Sequence, residues 1–228
     1  MSPAALGPPV GFAHRGASDR APGNTLEAFE IALAIGSGGL ESDVWLSSDG
    51  VPVLAHDARV GWRRARIAGL PRACLPGSLP SLAELYERCG AGFELSLDVR
   101  DPAAVGPVAR AARAAGAPGR LWLCGGDPCL LAGWRSLACE ARLVLSTTAA
   151  ALETLAGRSA ALPECVDVVN LPGRQWERGL VAAVHDQGRL ALGWGVQRRS
   201  AMRRLLAMGI DGLYSDHADV LAGAIRRA

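Results

Sequence analysis

Short apolar runs alternate with longer amphipathic stretches from one end of the chain to the other, which is the pattern of repeated βα units. The runs predict strands over Val10–His14, Leu40–Leu46, Val51–Ala55, Phe93–Val99, Leu121–Cys124, Arg142–Ser146, Val166–Leu171, Leu190–Val196 and Gly212–Ser215. The stretches between them predict helices near Leu26–Ile35, Leu82–Cys89, Val105–Ala115, Cys129–Leu137, Ala149–Arg158, Trp176–Gln187, Ala201–Met208 and Val220–Arg226. With Val51–Ala55 set aside as a hairpin arm on the second unit, roughly eight strand–helix pairs remain, the number that closes a (β/α)8 TIM barrel. No G-x-G-x-x-G or Walker loop follows the first strand, which disfavours a doubly wound open sheet. One domain over residues 1–228 is expected, with a loop rich in Arg, Gly and Pro from Arg59 to Pro80 as either a lid or a surface connection.

Strand periodicity then sorts the polar residues. The first strand ends in His14-Arg15-Gly16, at the end where barrel enzymes place their sites. On the second strand Glu41 and Asp43 share one side, with Leu40, Val44 and Leu46 on the other. On the third, Leu95, Leu97 and Val99 form the outer face, while Glu94, Ser96, Asp98 and Arg100 point inward. Glu41, Asp43 and Asp98 together offer hard oxygen ligands of the type chosen by Mg²⁺ or Ca²⁺. Inward salt bridges to Arg15 and Arg100 are the alternative use of the same acids. His56, after the turn at Asp49-Gly50 and the arm, is expected where His14 is, and two histidines beside an arginine and a cation suit phosphodiester cleavage. His185 and His217 are placed on helix or loop surface without a role.

Composition narrows the partners. The 24 basic and 22 acidic residues are spread along the chain with a formal net charge of +2, so no basic block marks a nucleic acid or an anionic membrane. Every basic residue is Arg, which dilutes the meaning of any single one. A small molecule is the expected partner. Six cysteines without C-x-x-C or zinc spacing, and no signal-peptide pattern, predict reduced thiols in a cytoplasmic protein. No apolar run reaches the ~20 residues that span a bilayer.

The ordered motifs resemble the glycerophosphodiester phosphodiesterase family over nearly the whole chain. His14-Arg15-Gly16-Ala17 with Pro22-Gly23-Asn24-Thr25-Leu26-Glu27-Ala28-Phe29 resembles its opening pattern, and Glu41-Ser42-Asp43-Val44 through Asp49-Gly50 to His56-Asp57 its second. Pro80-Ser81-Leu82, Trp194-Gly195-Val196-Gln197 and Gly209-Ile210-Asp211-Gly212-Leu213-Tyr214-Ser215-Asp216 resemble later landmarks. The resemblance implies a barrel that releases glycerol 3-phosphate and an alcohol. It also implies a cation on Glu41, Asp43 and Asp98, an acid/base pair in His14 and His56, Arg15 on the phosphate, and Trp194 on the pocket wall. Arg100 is expected to share the phosphate charge. A lysophospholipase D-like or cyclising phosphodiesterase, or a weakened binding barrel, is the alternative.

Three departures stand out. Gly23 occupies the place of the family's usual Glu, with Asp19 and Glu27 as nearby carboxylates. Asp98 and Arg100 stand for a usual Glu and Lys, and Gly195 and Gln197 for Thr and Asn.

Overall fold

The computed structural model describes residues 7–228 except Arg63 and Ala160, without the side chains of 156–159. Residues 1–6 of the expected domain, Arg63 of the Arg59–Pro80 loop and the last side chains of the predicted Ala149–Arg158 helix therefore lie outside the described residues.

Eight parallel strands form a closed barrel: β1 (Val10–His14), β2 (Gly39–Leu46), β3 (Glu94–Val99), β4 (Leu121–Gly125), β5 (Arg142–Ser146), β6 (Val168–Pro172), β7 (Leu190–Trp194) and β8 (Gly212–Ser215). Each pairs with the next, and β1 pairs with β8 in the register Phe12↔Tyr214, which closes the barrel. Helices follow each strand: α1 (Leu26–Ile35), α2 (Leu82–Cys89), α3 (Val105–Ala114), α4 (Pro128–Arg135), α5 (Ala149–Ser159), α6 (Arg178–Asp186), α7 (Arg199–Leu206) and α8 (Ala218–Ile225). Local signals fix several of the helix starts. Thr25 caps α1 by accepting from the Ala28 amide, Ser81 and Glu84 form a capping box on α2, and Asp127 caps α4.

Two apolar layers hold the barrel. Outside it, Leu40, Val44, Leu95 and Leu97 pack under helix residues such as Phe29, Leu85 and Val108, all fully buried. Inside, Phe12, Trp122, Val144, Val168, Leu192 and Tyr214 plug the lower barrel. Phe12 stacks on Tyr214 at 4.8 Å between ring centroids and meets the Trp122 ring edge-on at 5.3 Å. The plug leaves the upper interior to polar side chains.

β1 pairs with β2 from Phe12↔Gly39 only as far as His14↔Glu41, so β1 leaves the upper half of β2 unpaired on that side. The arm Pro52–Leu54 fills this gap antiparallel, with Val44↔Leu54, and the Ala55 amide donates to the Asp43 carbonyl at 3.0 Å. This brings His56 to the rim beside the second strand. The Arg59–Pro80 segment is neither a bare connection nor a detached lid. Ile67 and Leu75 pack with Val53 and Ala55 in a small core of their own, and Arg72 grips Glu84 at 2.9 Å. No described helix is long and apolar enough to cross a membrane.

Candidate active site

The chain leaves β1 through a tight corner. Arg15 and Asn24 both adopt left-handed backbone, with φ 56 and φ 60, an arrangement non-glycine residues rarely take outside functional or strained sites. Gly16, at φ 78, lies so close to α1 that a Cβ would meet the Ala28 carbonyl carbon at 2.6 Å, so only glycine fits. The Asn24 amide donates to the Arg15 carbonyl at 3.0 Å, folding the loop back over the barrel mouth. This corner aims the Arg15 amide at Glu41 Oε2, 3.0 Å away.

A cavity of about 620 Å³ opens at the C-terminal ends of the strands, lined on one side by His14, Arg15, Glu41, Asp98 and Arg100. That is within the range of small-molecule sites. Trp194, 44% exposed, stands on its rim. Asp43 lies beneath the wall, 1% exposed: Arg100 donates to its Oδ1 through Nε at 2.9 Å and Nη2 at 2.7 Å, and Arg15 Nε is 3.5 Å from its Oδ2. Asn24 Nδ2 reaches the same Oδ2 at 3.4 Å, and its own Oδ1 accepts from Ser42 at 2.7 Å. Arg100 also stands 3.0 Å from Asp98 Oδ2. The inward salt bridges expected as one use of these acids are therefore present.

The acids still outnumber the arginines. Burial pushes the Glu41 carboxyl well above the usual range, and neighbouring Asp43 pushes it further. Burial also raises Asp98, opposed by Arg100 and reinforced by Asp43. Three crowded carboxylates with hard oxygens are the chemistry a Mg²⁺ or Ca²⁺ ion relieves, so the donor set fits such a cation. Among the described residues no three acidic, histidine or cysteine side chains converge as a finished metal cluster; the Arg100 guanidinium lies on Asp43 and Asp98 instead.

His14 is held at Nδ1 and turns Nε2 toward Glu41. Its Nδ1 is 2.5 Å from Asp216 Oδ1, and its Nε2 is 3.7 Å from Glu41 Oε2. Asp216 Oδ2 in turn accepts from Gln197 Nε2 at 2.6 Å, while Gln197 Oε1 accepts from the Asp216 amide at 3.0 Å and from Ser215 Oγ at 2.9 Å. A carboxylate only accepts, so the proton lies on Nδ1 and Nε2 is left to face the acids. Asp216, which sequence reasoning met only as a landmark, and Gln197, met there as a departure from the family's Asn, are the residues that hold the His14 ring. Asp216 directly follows β8 as His14 ends β1, and only closure of the barrel brings the two together.

His56 does not line this cavity. It borders an adjoining recess of about 260 Å³ with Gly23, Asn24 and Asp57, which Arg15 also borders, and its Nδ1 is 3.0 Å from Asp57 Oδ1. Arg15 thus separates the two histidines. Neither carboxylate near Gly23 lines either space: Asp19 is bonded to His217 at 3.3 Å, and Glu27 lies in the first turn of α1. His185 is tied to Asp211 at 2.8 Å. The cavity floor is Ser96, bonded to Tyr214 at 2.9 Å and to Cys124 at 3.3 Å, and burial raises the Tyr214 hydroxyl and the Cys124 thiol far above neutrality.

The model of the glycerophosphoryl diester phosphodiesterase family matches residues 14–68 and 109–220. The Mycobacterium tuberculosis protein named "Probable glycerophosphodiester phosphodiesterase 2" is 28% identical over 93% of this chain and 89% of its own length. An Oleispira antarctica phosphodiesterase, solved in complex with the product sn-glycerol-3-phosphate, has the same fold at a TM-score of 0.80 and 22% identity, covering 96% of this chain and 97% of that one. The Thermotoga maritima glycerophosphodiester phosphodiesterase superposes with a TM-score of 0.81 at 20% identity, covering 96% and 99%.

Proposed function

Since the chain belongs to the glycerophosphoryl diester phosphodiesterase family, we propose that it hydrolyses glycerophosphodiesters to glycerol 3-phosphate and an alcohol, with His14 and His56 dividing the two proton transfers. The observation that carries this reading is the meeting of His14 Nε2, Arg15, Arg100 and the acids at one barrel mouth.

Arg15 and Arg100 bind the phosphate and take up the negative charge that grows on it, an electrostatic contribution aimed at the transition state. Arg15 borders both spaces, so a phosphate on it lies between the two histidines. One imidazole then takes a proton from the attacking water, and the other gives one to the departing alkoxide on the far side. Asp216 holds the His14 ring and its tautomer through this exchange. Glu41, Asp43 and Asp98 would hold a Mg²⁺ or Ca²⁺ ion, which when bound supplies Lewis-acid polarisation of a nonbridging phosphate oxygen. The cytoplasmic setting belongs to the same reading and rests on the sequence, whose six cysteines show no C-x-x-C or zinc spacing.

The test is release of glycerol 3-phosphate from a panel of glycerophosphodiesters with Mg²⁺, with Ca²⁺ and with EDTA, for the native chain and for His14→Ala, His56→Ala and Glu41→Gln. Metal-dependent release that falls at least about 100-fold in each histidine variant is expected. Release that persists in EDTA removes the cation from the reading, and release that persists in His56→Ala removes the second histidine.

A further inference from the structure

The charged groups of the cavity come from the ends of β1, β2, β3 and β8, and the opposite wall is polar but uncharged: Ser146 ending β5, Thr147 after it, and Asn170 on β6. In an eight-stranded barrel β5 lies across from β1, so this wall faces His14 over the open space. Asn170 is 6% exposed. One side of its amide is engaged, Nδ2 donating to Ser146 Oγ at 3.2 Å, and Ser146 is its register partner. The other side, Oδ1, is buried without a partner. A buried acceptor left unpaired is costly to the fold, so such a group persists where a ligand completes it.

We propose that Asn170, anchored by Ser146, is a subsite for a free hydroxyl of the substrate, on the wall across from His14. The inference rests on the phosphodiesterase reading and deepens it: the substrates favoured are diesters that carry a hydroxyl on this side, such as polyol esters. A hydroxyl both donates and accepts, so it pairs with the amide edge; a trimethylammonium group has no proton to donate and leaves Oδ1 unpaired. Trp194 on the neighbouring strand end closes the rim beside the subsite. The hydroxyl can belong to the glycerol shared by all these diesters or to the departing alcohol.

The experiment measures kcat/KM for glycerophosphoglycerol and glycerophosphocholine, and product inhibition by glycerol 3-phosphate, in the native chain, Asn170→Leu, Asn170→Asp and Ser146→Ala. Loss of one neutral hydrogen bond lowers kcat/KM about tenfold. A hydroxyl on the alcohol gives that loss in Asn170→Leu for glycerophosphoglycerol alone; a hydroxyl on the shared glycerol gives it for both diesters and weakens inhibition by glycerol 3-phosphate about tenfold as well. Asn170→Asp, which keeps an acceptor oxygen, recovers most of the loss, and Ser146→Ala shows the same substrate pattern more weakly. Both diesters and the inhibition unchanged within twofold in Asn170→Leu overturn the subsite. If Asn170→Leu does not fold, Asn170→Ala takes its place, and both diesters and the inhibition unchanged within twofold in Asn170→Ala overturn the subsite equally. Release of glycerol 3-phosphate by the native chain is scored separately: its absence rejects the phosphodiesterase reading, whereas its presence with indifferent Asn170 variants rejects the subsite alone.

Discussion

His14 Nδ1 and Asp216 Oδ1 are 2.5 Å apart, although 202 positions separate the residues in the chain. Closure of β1 against β8 makes the pair, because both residues leave the barrel at the same rim. In the proposed mechanism Asp216 is a positioning residue that acts through the His14 ring. Asp216→Asn keeps the shape but presents an amide that satisfies either ring tautomer, so kcat should fall roughly 100-fold with KM little changed. Gln197→Leu, which removes only the amide behind Asp216, should fall less, and a comparison of kcat and KM in both variants checks this. A loss confined to KM would place Asp216 on the substrate instead.

Gly23 stands against Arg15. A Cβ there would lie 3.0 Å from the Arg15 Cβ, and 3.5 Å from both Arg15 Cδ and Ser18 Cβ. The contact falls on the root of the Arg15 side chain, which has little freedom because its backbone is already left-handed. Gly23→Ala should therefore cost about 1 kcal/mol by overpacking and raise KM several-fold by displacing Arg15. Denaturant melts with steady-state kinetics measure both. An unchanged KM would mean that the Arg15 position tolerates the shift.

Glu84 provides a pH test of the α2 start. Burial pushes its carboxyl up, but the Ser81 amide, Arg72 and the Ser81 hydroxyl outweigh that and hold it at about 2 against an ordinary 4.5. A depressed folded-state value contributes stability above the unfolded value and loses it as pH falls from near 4.5 toward 2. The side chain is 44% exposed, so screening limits the effect to about 1 kcal/mol, the usual worth of a helix cap. Glu84→Gln should be less stable than the native chain at pH 7, with the gap closing below pH ~4. Thermal melts across that range check it, and a gap independent of pH would sink the explanation.

The barrel was legible because its strands and helices have different periods. α1, α2, β5 and β8 begin and end where the apolar pattern and caps place them. Boundaries moved where the pattern carries no stop: β7 ends at Trp194 rather than Val196, since Gly195 takes φ 69 and turns the chain. Strand alternation also put Glu41, Asp98 and Arg100 on the cavity side. Pairings between distant rims were not legible. Nothing local in Ser215-Asp216 says that the barrel closes onto His14, and the arm that carries His56 fixes the histidine beside β2 but leaves it bordering a recess of its own. The packing of Ile67 and Leu75 under the arm was hidden for the same reason, because turn-rich composition reads as loop whether or not its few apolar residues find a core.

Arg100 separates the roles of its two acids. Its Nε and Nη2 hold Asp43 Oδ1 at 2.9 and 2.7 Å, and Nη2 stands 3.0 Å from Asp98 Oδ2. Without it, Asp43 would keep only Asn24 at 3.4 Å and Arg15 at 3.5 Å while remaining buried. Arg100→Met should cost roughly 2 kcal/mol in metal-free buffer, the range for hydrogen bonds to a charged group. The guanidinium also competes for the oxygens a divalent cation would use, so the variant should gain more thermal stability from added Mg²⁺ or Ca²⁺ than the native chain does. Melts with and without the cation read this independently of turnover. Equal shifts in both chains would mean that any cation is held without Asp43 and Asp98, and Glu41 would then be the carboxylate to pursue, because burial leaves it in most need of a positive partner.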